Sequence, residues 1–437
     1  MVFALKGVRV PHRKHTADCK PVRMPIPKTV QIPLSMHIGA PATCLVKVGE
    51  HIDVGQKIAE SSGFVSAPVH SSVSGTVKSI GAVQLIGGKT VETVVIEADG
   101  MQTLSPSVTP PAITDYDSFI AAVRESGSVG LGGASFPTAV KLAVKGKPLD
   151  AIVINGAECE PYITSDTRTM LDRKEGIFAG IELLQKYLAP KSIIFGIEKN
   201  KPACIAALKD GMPEGVKIKA LPSVYPQGGE KVLIYHTTGK VVPVGKLPID
   251  VGVVVINCTT LAFLGEYAKT GLPLIEKTVT VDGKAVGTPQ NVIAPIGASA
   301  EDVFAFCGGL VKDPYKVLQG GPMMGVALTD LSMPIMKGTN ALLALSEGEL
   351  APRSSTACIR CGACALHCPL KLDPRAFSHN YKAKDMEALE KGKLTLCMEC
   401  GCCSFICPAA RPLAEHNRLA KAELNAYLRK KKEEENK

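Results

Sequence analysis

The chain reads as an α/β multidomain protein that ends in a helical, cysteine-rich region, and three patterns predict this. Short β-prone runs separated by Gly and Pro fill residues from about 33 to 97, strands alternate with helices from about 115 to 270, and two matching cysteine runs stand near the end. The first pattern is that of a small all-β sandwich or barrel. The second predicts a parallel sheet covered by helices on both faces, with ligands bound in the loops at the carboxyl ends of its strands. The third is Cys358-x-x-Cys361-x-x-Cys364-x-x-x-Cys368-Pro369, repeated as Cys397-x-x-Cys400-x-x-Cys403-x-x-x-Cys407-Pro408. That spacing is the signature of two [4Fe–4S] clusters, the fourth Cys of each run typically binding the other cluster. Cys358, Cys361, Cys364 and Cys407 are therefore expected to hold one cluster, and Cys397, Cys400, Cys403 and Cys368 the other.

The competing readings of clustered cysteines are structural zinc and a disulfide framework. Zinc sites use ligands in pairs and have no need of a third Cys at the same interval. Disulfides are unneeded in 437 residues, which bury an ample core, and no secretory leader is recognised, so a cytoplasmic setting is expected. The other seven cysteines (Cys19, Cys44, Cys159, Cys204, Cys258, Cys307 and Cys402) read mostly as small buried hydrophobes, Cys402 as a neighbour of a cluster. His15 and Cys19 have helical spacing, but the Pro-rich surroundings argue against a helix there.

Composition is that of a folded protein in water, with 46% hydrophobic and 21% charged residues. The most apolar stretch, Val251 to Leu264, is interrupted by Asn257, Thr259 and Thr260 and falls short of the roughly 18 apolar residues of a membrane span. Any membrane association is expected to be peripheral.

Residues 1–32 form a basic arm, with seven Lys or Arg against Asp18 alone in the first thirty positions. It reads either as solvated coil or as an extended, Pro-spaced arm laid on an anionic lipid leaflet or an acidic protein partner. Nucleic acid is not expected, because aromatics are not interleaved with the charges.

Residues 33–112 form the β barrel-sandwich, and their pattern resembles the biotinyl/lipoyl-carrier fold. No Lys lies between Lys57 and Lys78, so a carrier function is not expected. Residues 113–270 form the central α/β domain, which holds three polar, Gly-containing loops. The first runs from Gly130 through Gly132, Gly133 and Phe136 to Lys141. Its Cβ-free positions let backbone N–H groups approach a phosphate, with a helix N-terminus and a cation behind them. The second is Asn155-Gly-Ala-Glu158-Cys-Glu160-Pro161, directly after a strand, and the third is Tyr225-Pro-Gln-Gly228-Gly-Glu230-Lys231, leading into a helix. Residues 271–345 contain Gly320-Gly321-Pro322, read as a turn without a catalytic role. Residues 346–425 form the cluster domain, with helices expected between the runs, and 426–437 a charged tail ending in a frayed helix.

Together, GLGGASFPTAVKL, INGAECEPYITSD and YPQGGEKVLIYHTTG resemble the flavin- and NADH-binding subunit of respiratory complex I, with motifs of the type GRGGAGFPTG, NADESEPG and YICGEE. The likeness is closer still to the C subunit of the Rnf complex, the ion-translocating ferredoxin:NAD oxidoreductase, which shares the phrases IPLSMHIGAPA and APVHSSVSGTV and the paired cysteine runs. The resemblance covers residues from about 7 to 425. It implies that Gly130, Gly132, Gly133, Lys141, Asn155, Glu158, Tyr225, Gly228 and Glu230, with Asn257 and Thr260, surround FMN. It implies that Phe136, Lys141 and Glu160 meet NADH, and that 271–345 is a β-grasp-like SLBB domain. Two positions depart from the complex I pattern, Ala157 and Gly229 each replacing an acidic residue, and Ser135 stands where both families usually have Gly, so that its side chain narrows the approach to a flavin.

The implied function is that of the NAD(H)-binding, electron-transfer subunit of a membrane-bound ferredoxin:NAD oxidoreductase, peripheral on the cytoplasmic side. FMN converts between hydride and single electrons, and two [4Fe–4S] clusters relay the latter. Its partners would be the other subunits of the complex and ferredoxin or a ferredoxin-like subunit. Two alternatives differ: a non-catalytic relay and docking subunit with vestigial flavin loops, and an NADH dehydrogenase working alone.

Overall fold

A computed structural model describes residues 6–350 and 354–435. The β barrel-sandwich comprises a four-stranded antiparallel sheet (29–33, 90–98, 75–84, 51–52) and a three-stranded one (43–44, 57–60, 69–70). Alternate residues Val30, Ile32, Val77, Val94 and Ile96 point inward and are fully or almost fully buried, the period-2 pattern of a half-buried strand. This core is continuous with that of the central domain, so the two regions pack as one body.

The central sheet is four-stranded and wholly parallel, in the order 216–221, 193–198, 151–156, 253–257. The chain builds outward from strand 151–156 on one side and then crosses to add 253–257 on the other. The order reverses between those two strands, which makes their carboxyl ends the switch point where such sheets bind ligands. Strand 151–156 is nearly all buried, as expected of a strand covered on both faces. Helix Cys258–Thr270 starts at Asn257, whose side chain accepts from the N–H groups of Thr259 and Thr260. It packs closely along helix Lys174–Leu188, with Leu261 and Gly265 against Gly176 and Gly180.

The third region is a six-stranded mixed sheet with helix Ala300–Phe306 and its own core around Val279, Val281, Val292 and Leu342. Its edge strand, Val22–Arg23, comes from the N-terminal arm and pairs in parallel with 290–295. The arm therefore lies on its own chain. Residues 8–17 cross the central domain before reaching that edge, and no helix forms around His15, whose ring faces Asp282 at 3.2 Å and not Cys19.

The last region is helical. Short helices 363–366 and 402–405 follow Gly362 and Gly401 at matching places in the two cysteine runs, and helices 374–382 and 386–391 join the runs as expected. The final helix, Leu413–Glu435, continues unbroken to the last described residues and takes in the charged tail up to Glu435. Leu424 and Ala420 anchor it against Phe377, Leu389 and Leu394. Among the described residues no helix is long and apolar enough to cross a membrane.

Candidate functional site

The three loops singled out in the sequence converge at the switch point. Asn155 and Asn257 end their neighbouring strands in register. Asn155 accepts from the N–H of Ala157 and donates to Gly228 O, both at 3.0 Å, so one side chain ties the second loop to the third. Asn257 donates to Asp166 at 2.8 Å, and Thr260 Oγ1 accepts from the N–H of Leu131 at 2.9 Å, which fixes the first loop to the start of helix 258–270. Lys141 Nζ meets Glu230 at 2.9 Å, joining the helices that follow the first and third loops.

Within the first loop Gly132 and Gly133 are exposed and Phe136 is half-buried. Among the described residues nothing accepts from the N–H groups of Gly132, Gly133 or Ala134. Three neighbouring donors without partners form the cradle an anion needs, and Asn340 places its amide Nδ2, a further donor, beside Gly133. These groups fit a phosphate-bearing cofactor. The helix behind them spans only Thr138–Leu142, so the dipole expected from the sequence contributes little. Ser135 takes φ +50°, and its Oγ lies over Gly338, where a Cβ would come within 2.1 Å of it.

Glu158 and Glu160 sit in different environments although they are two residues apart. The Glu158 carboxylate is buried and fully engaged: it accepts from Asp166 N at 2.7 Å, Thr167 Oγ1 at 2.6 Å and Lys201 Nζ at 3.1 Å. Burial would push its pKa up, but Lys201 and Lys14 more than offset this and hold it below the usual value. Glu160 has weaker partners, the Tyr225 hydroxyl at 3.4 Å and Met323 N at 3.1 Å, and burial pushes it up to about 7. Met323 follows the Gly320–Pro322 turn, which thus braces a candidate site residue.

Flanking regions supply lysines that the sequence did not single out. Lys277, on the third-region strand 276–282, donates to Leu131 O at 3.1 Å, and burial lowers it to about 8. Lys14, in the arm, reaches the second loop. No sequence signal marks either residue, because each finds its partners only through the tertiary fold.

The eight cysteines of the two runs ring two cavities. One is lined by Cys368 with Cys397, Cys400 and Cys403, and by Cys402 beside them, the other by Cys407 with Cys358, Cys361 and Cys364. The fourth Cys of each run therefore lines the other run's cavity. Among the described residues no three His, Cys, Asp or Glu converge as ligands of a single ion. Rings of thiols around a cavity fit a cluster-sized group better than a lone zinc.

The two cavities differ in position. Around the first, Met398, Cys400 and Cys402 pack against Tyr225, Cys159 and Met323, and Cys402 Sγ lies 3.8 Å from Tyr225 O. A Cβ at Gly229 would stand 2.2 Å from Met398 Cε, so a side chain there would have to displace the flexible end of Met398. Around the other cavity Cys358 and Cys361 are exposed.

Three family models agree with this architecture. Residues 3–101 match the family model "RnfC Barrel sandwich hybrid domain", 123–266 the "Nuo51 FMN-binding domain" and 278–327 the "SLBB domain". The C subunit of the proton-translocating ferredoxin:NAD(+) oxidoreductase complex of Clostridium ljungdahlii is 42% identical over 424 residues, 95% of this chain and 92% of that protein. The C subunit of the Na(+)-translocating complex of Acetobacterium woodii is 42% identical over 97% of each chain. The C subunit of the ion-translocating oxidoreductase complex of Rhodobacter capsulatus is 39% identical over 97% of this chain and 83% of its own length. A chain of an NAD+-reducing [NiFe]-hydrogenase in the H2-reduced state covers 70% of this chain and 60% of itself, at 19% identity and a TM-score of 0.48.

Proposed function

Because the chain belongs to the family of C subunits of the Rnf-type ion-translocating ferredoxin:NAD(+) oxidoreductases, we propose that it passes electrons between NAD(H) and the other subunits of such a complex, through FMN and two [4Fe–4S] clusters. The observation that carries this reading is the packing of the inner cysteine cavity directly onto Tyr225 and Gly229 of the third loop. A redox site and its one-electron outlet share a wall.

Gly132, Gly133 and Ala134 would hold the cofactor phosphate with their unpartnered N–H groups. Asn155, Gly228, Asn257 and Thr260 keep the three loops closed around it, and the Lys141–Glu230 pair spans the opening. Glu158 is a positioning group whose carboxylate orders the second loop, whereas Glu160 and Phe136 would face the nicotinamide. Bound FMN supplies the conversion between two-electron exchange with NAD(H) and one-electron transfer to iron–sulfur centres. Burial orders the wire, with Cys368, Cys397, Cys400 and Cys403 on the inside and Cys358, Cys361, Cys364 and Cys407 facing the partner. That partner is another subunit, ferredoxin or a ferredoxin-like domain. Ion movement belongs to membrane-spanning subunits, to which this chain attaches peripherally on the cytoplasmic side.

Anaerobic purification tests this. About eight iron per chain, bound FMN and NADH-dependent dye reduction support it. Eight iron with no flavin, even after reconstitution with FMN, would leave only a relay role.

A further inference from the structure

We propose that Lys14 is a positioning residue for the NAD(H) site, acting through the loop that carries Glu158 and Glu160. Its ammonium donates to three carbonyl oxygens of that loop: Glu158 at 2.9 Å, Glu160 at 2.7 Å and Ile163 at 2.5 Å. The Glu158 carboxylate stands 3.8 Å away. An ammonium has three N–H donors, so each is matched to one carbonyl and the loop is gathered around a single point. No neutral side chain offers three donors from one atom.

The rest of the arm makes the same connection. Val8 and Tyr225 exchange backbone hydrogen bonds at 2.9 and 3.0 Å, Tyr162 N donates to His12 O at 3.0 Å, and Thr16 and Thr164 hydroxyls meet at 2.6 Å. The Tyr225 hydroxyl in turn reaches Glu160. Residues 8–16 thus form a strap that clamps the second loop to the third, with Lys14 at its centre. The charge is held at a cost, since burial depresses Lys14 to about 8. Lys14 touches no reacting atom; it fixes where the Glu160 carboxylate stands.

The inference rests on the reading of Glu160 as a nicotinamide contact. The experiment compares the full chain with Lys14→Met, both purified anaerobically, for FMN and iron content, NADH dissociation constant and NADH–dye kinetics. Lys14→Met is expected to keep FMN and iron while its NADH dissociation constant rises on the order of tenfold or more, with kcat changed by less than about threefold. An NADH affinity within about twofold of wild type overturns the proposal. Should Lys14→Met fail to fold, Lys14→Gln, which keeps two donors, decides by the same criteria. If neither accumulates folded, the residue is structural and the proposal falls. Wild-type protein that binds no NADH removes the functional reading and this inference together, whereas normal wild-type binding with an unaffected variant removes the inference alone.

Discussion

Replacing Lys201 by Met removes the cation closest to the buried Glu158 carboxylate and leaves a side chain of similar length. Lys201 Nζ donates to Glu158 at 3.1 Å and to the Thr167 hydroxyl at 2.7 Å, and the Lys201 and Glu158 side chains are only 6% and 4% exposed. Breaking a buried pair by removing one partner costs about 3–5 kcal/mol, because the remaining charge is left uncompensated. Lys14 stays within 3.8 Å of Glu158, so the lower end applies, about 3 kcal/mol. In the wild type the Glu158 pKa is depressed, so its pairing stabilises the fold above the unfolded carboxylate value and is lost as pH falls through the folded one. In Lys201→Met the folded pKa rises instead, and ionised Glu158 becomes a burden at neutral pH. The stability gap between the two proteins therefore widens from pH 5 toward pH 8. Urea unfolding followed by far-UV circular dichroism measures this, tryptophan being absent from the chain. Adding Glu158→Gln should return much of the loss, because the two residues are in contact and their effects are not additive. A gap below about 1 kcal/mol, the scale of an exposed ion pair, or one that is constant with pH, would refute the reasoning.

Four other expectations follow from the same geometry. Cys368→Ser and Cys397→Ala belong to one cavity, so the double variant should keep about four iron, like either single one, while Cys368→Ser with Cys361→Ala should lose both clusters; retention of four iron in the latter pair contradicts the exchange of fourth ligands. Gly228→Val places a Cβ 2.4 Å from Ala157 O and should pry the second and third loops apart, weakening FMN binding by about tenfold or more; a flavin titration with unchanged affinity counts against it. Lys337 is fully buried, donates to Pro68 O and Gly127 O at 2.7 Å, and is pushed down to about 7. Its unfolded form binds the proton up to higher pH, so its burial penalty is relieved as pH rises from about 7 toward the ordinary lysine range; Lys337→Met should flatten that part of the stability profile, and an unchanged slope refutes the assignment. Glu160 ionises at about 7, and a carboxylate beside a nicotinamide favours the cationic NAD+ ring over NADH, so relative NAD+ affinity should rise several-fold from pH 6 to pH 8; Glu160→Gln should abolish the trend, which a pH series of dissociation constants reads directly.

What was legible in the chain was chemistry written at short intervals. The cysteine spacing drew attention to the residues that line both cavities, with Cys368 and Cys407 each lining the other run's cavity, because ligands of a compact group come from close positions. Strand and helix alternation foretold the parallel sheet, and Gly and Asn at strand ends foretold the converging loops. Partners assembled from distant segments were not legible. The basic arm read either as solvated coil or as an arm laid on a lipid or protein partner, yet Lys14 is buried against carbonyls of its own chain more than 140 positions away, and a residue tally carries no information on that cage. Gly229 looks like a loss of acidic chemistry until Met398 is seen above it. The Gly320–Pro322 turn looked inert because its contact with Glu160 exists only across domains.

In the proposed function the loops at the switch point and the cysteine cavities form one electron path that requires flavin. The direct measurement is electron paramagnetic resonance of anaerobic protein mixed with NADH, with FMN bound and after FMN is stripped. Reduced iron–sulfur signals are expected in the FMN-loaded protein and none in the stripped one, with recovery on FMN addition. Clusters that NADH reduces equally without FMN, or fails to reduce with FMN bound, would contradict it.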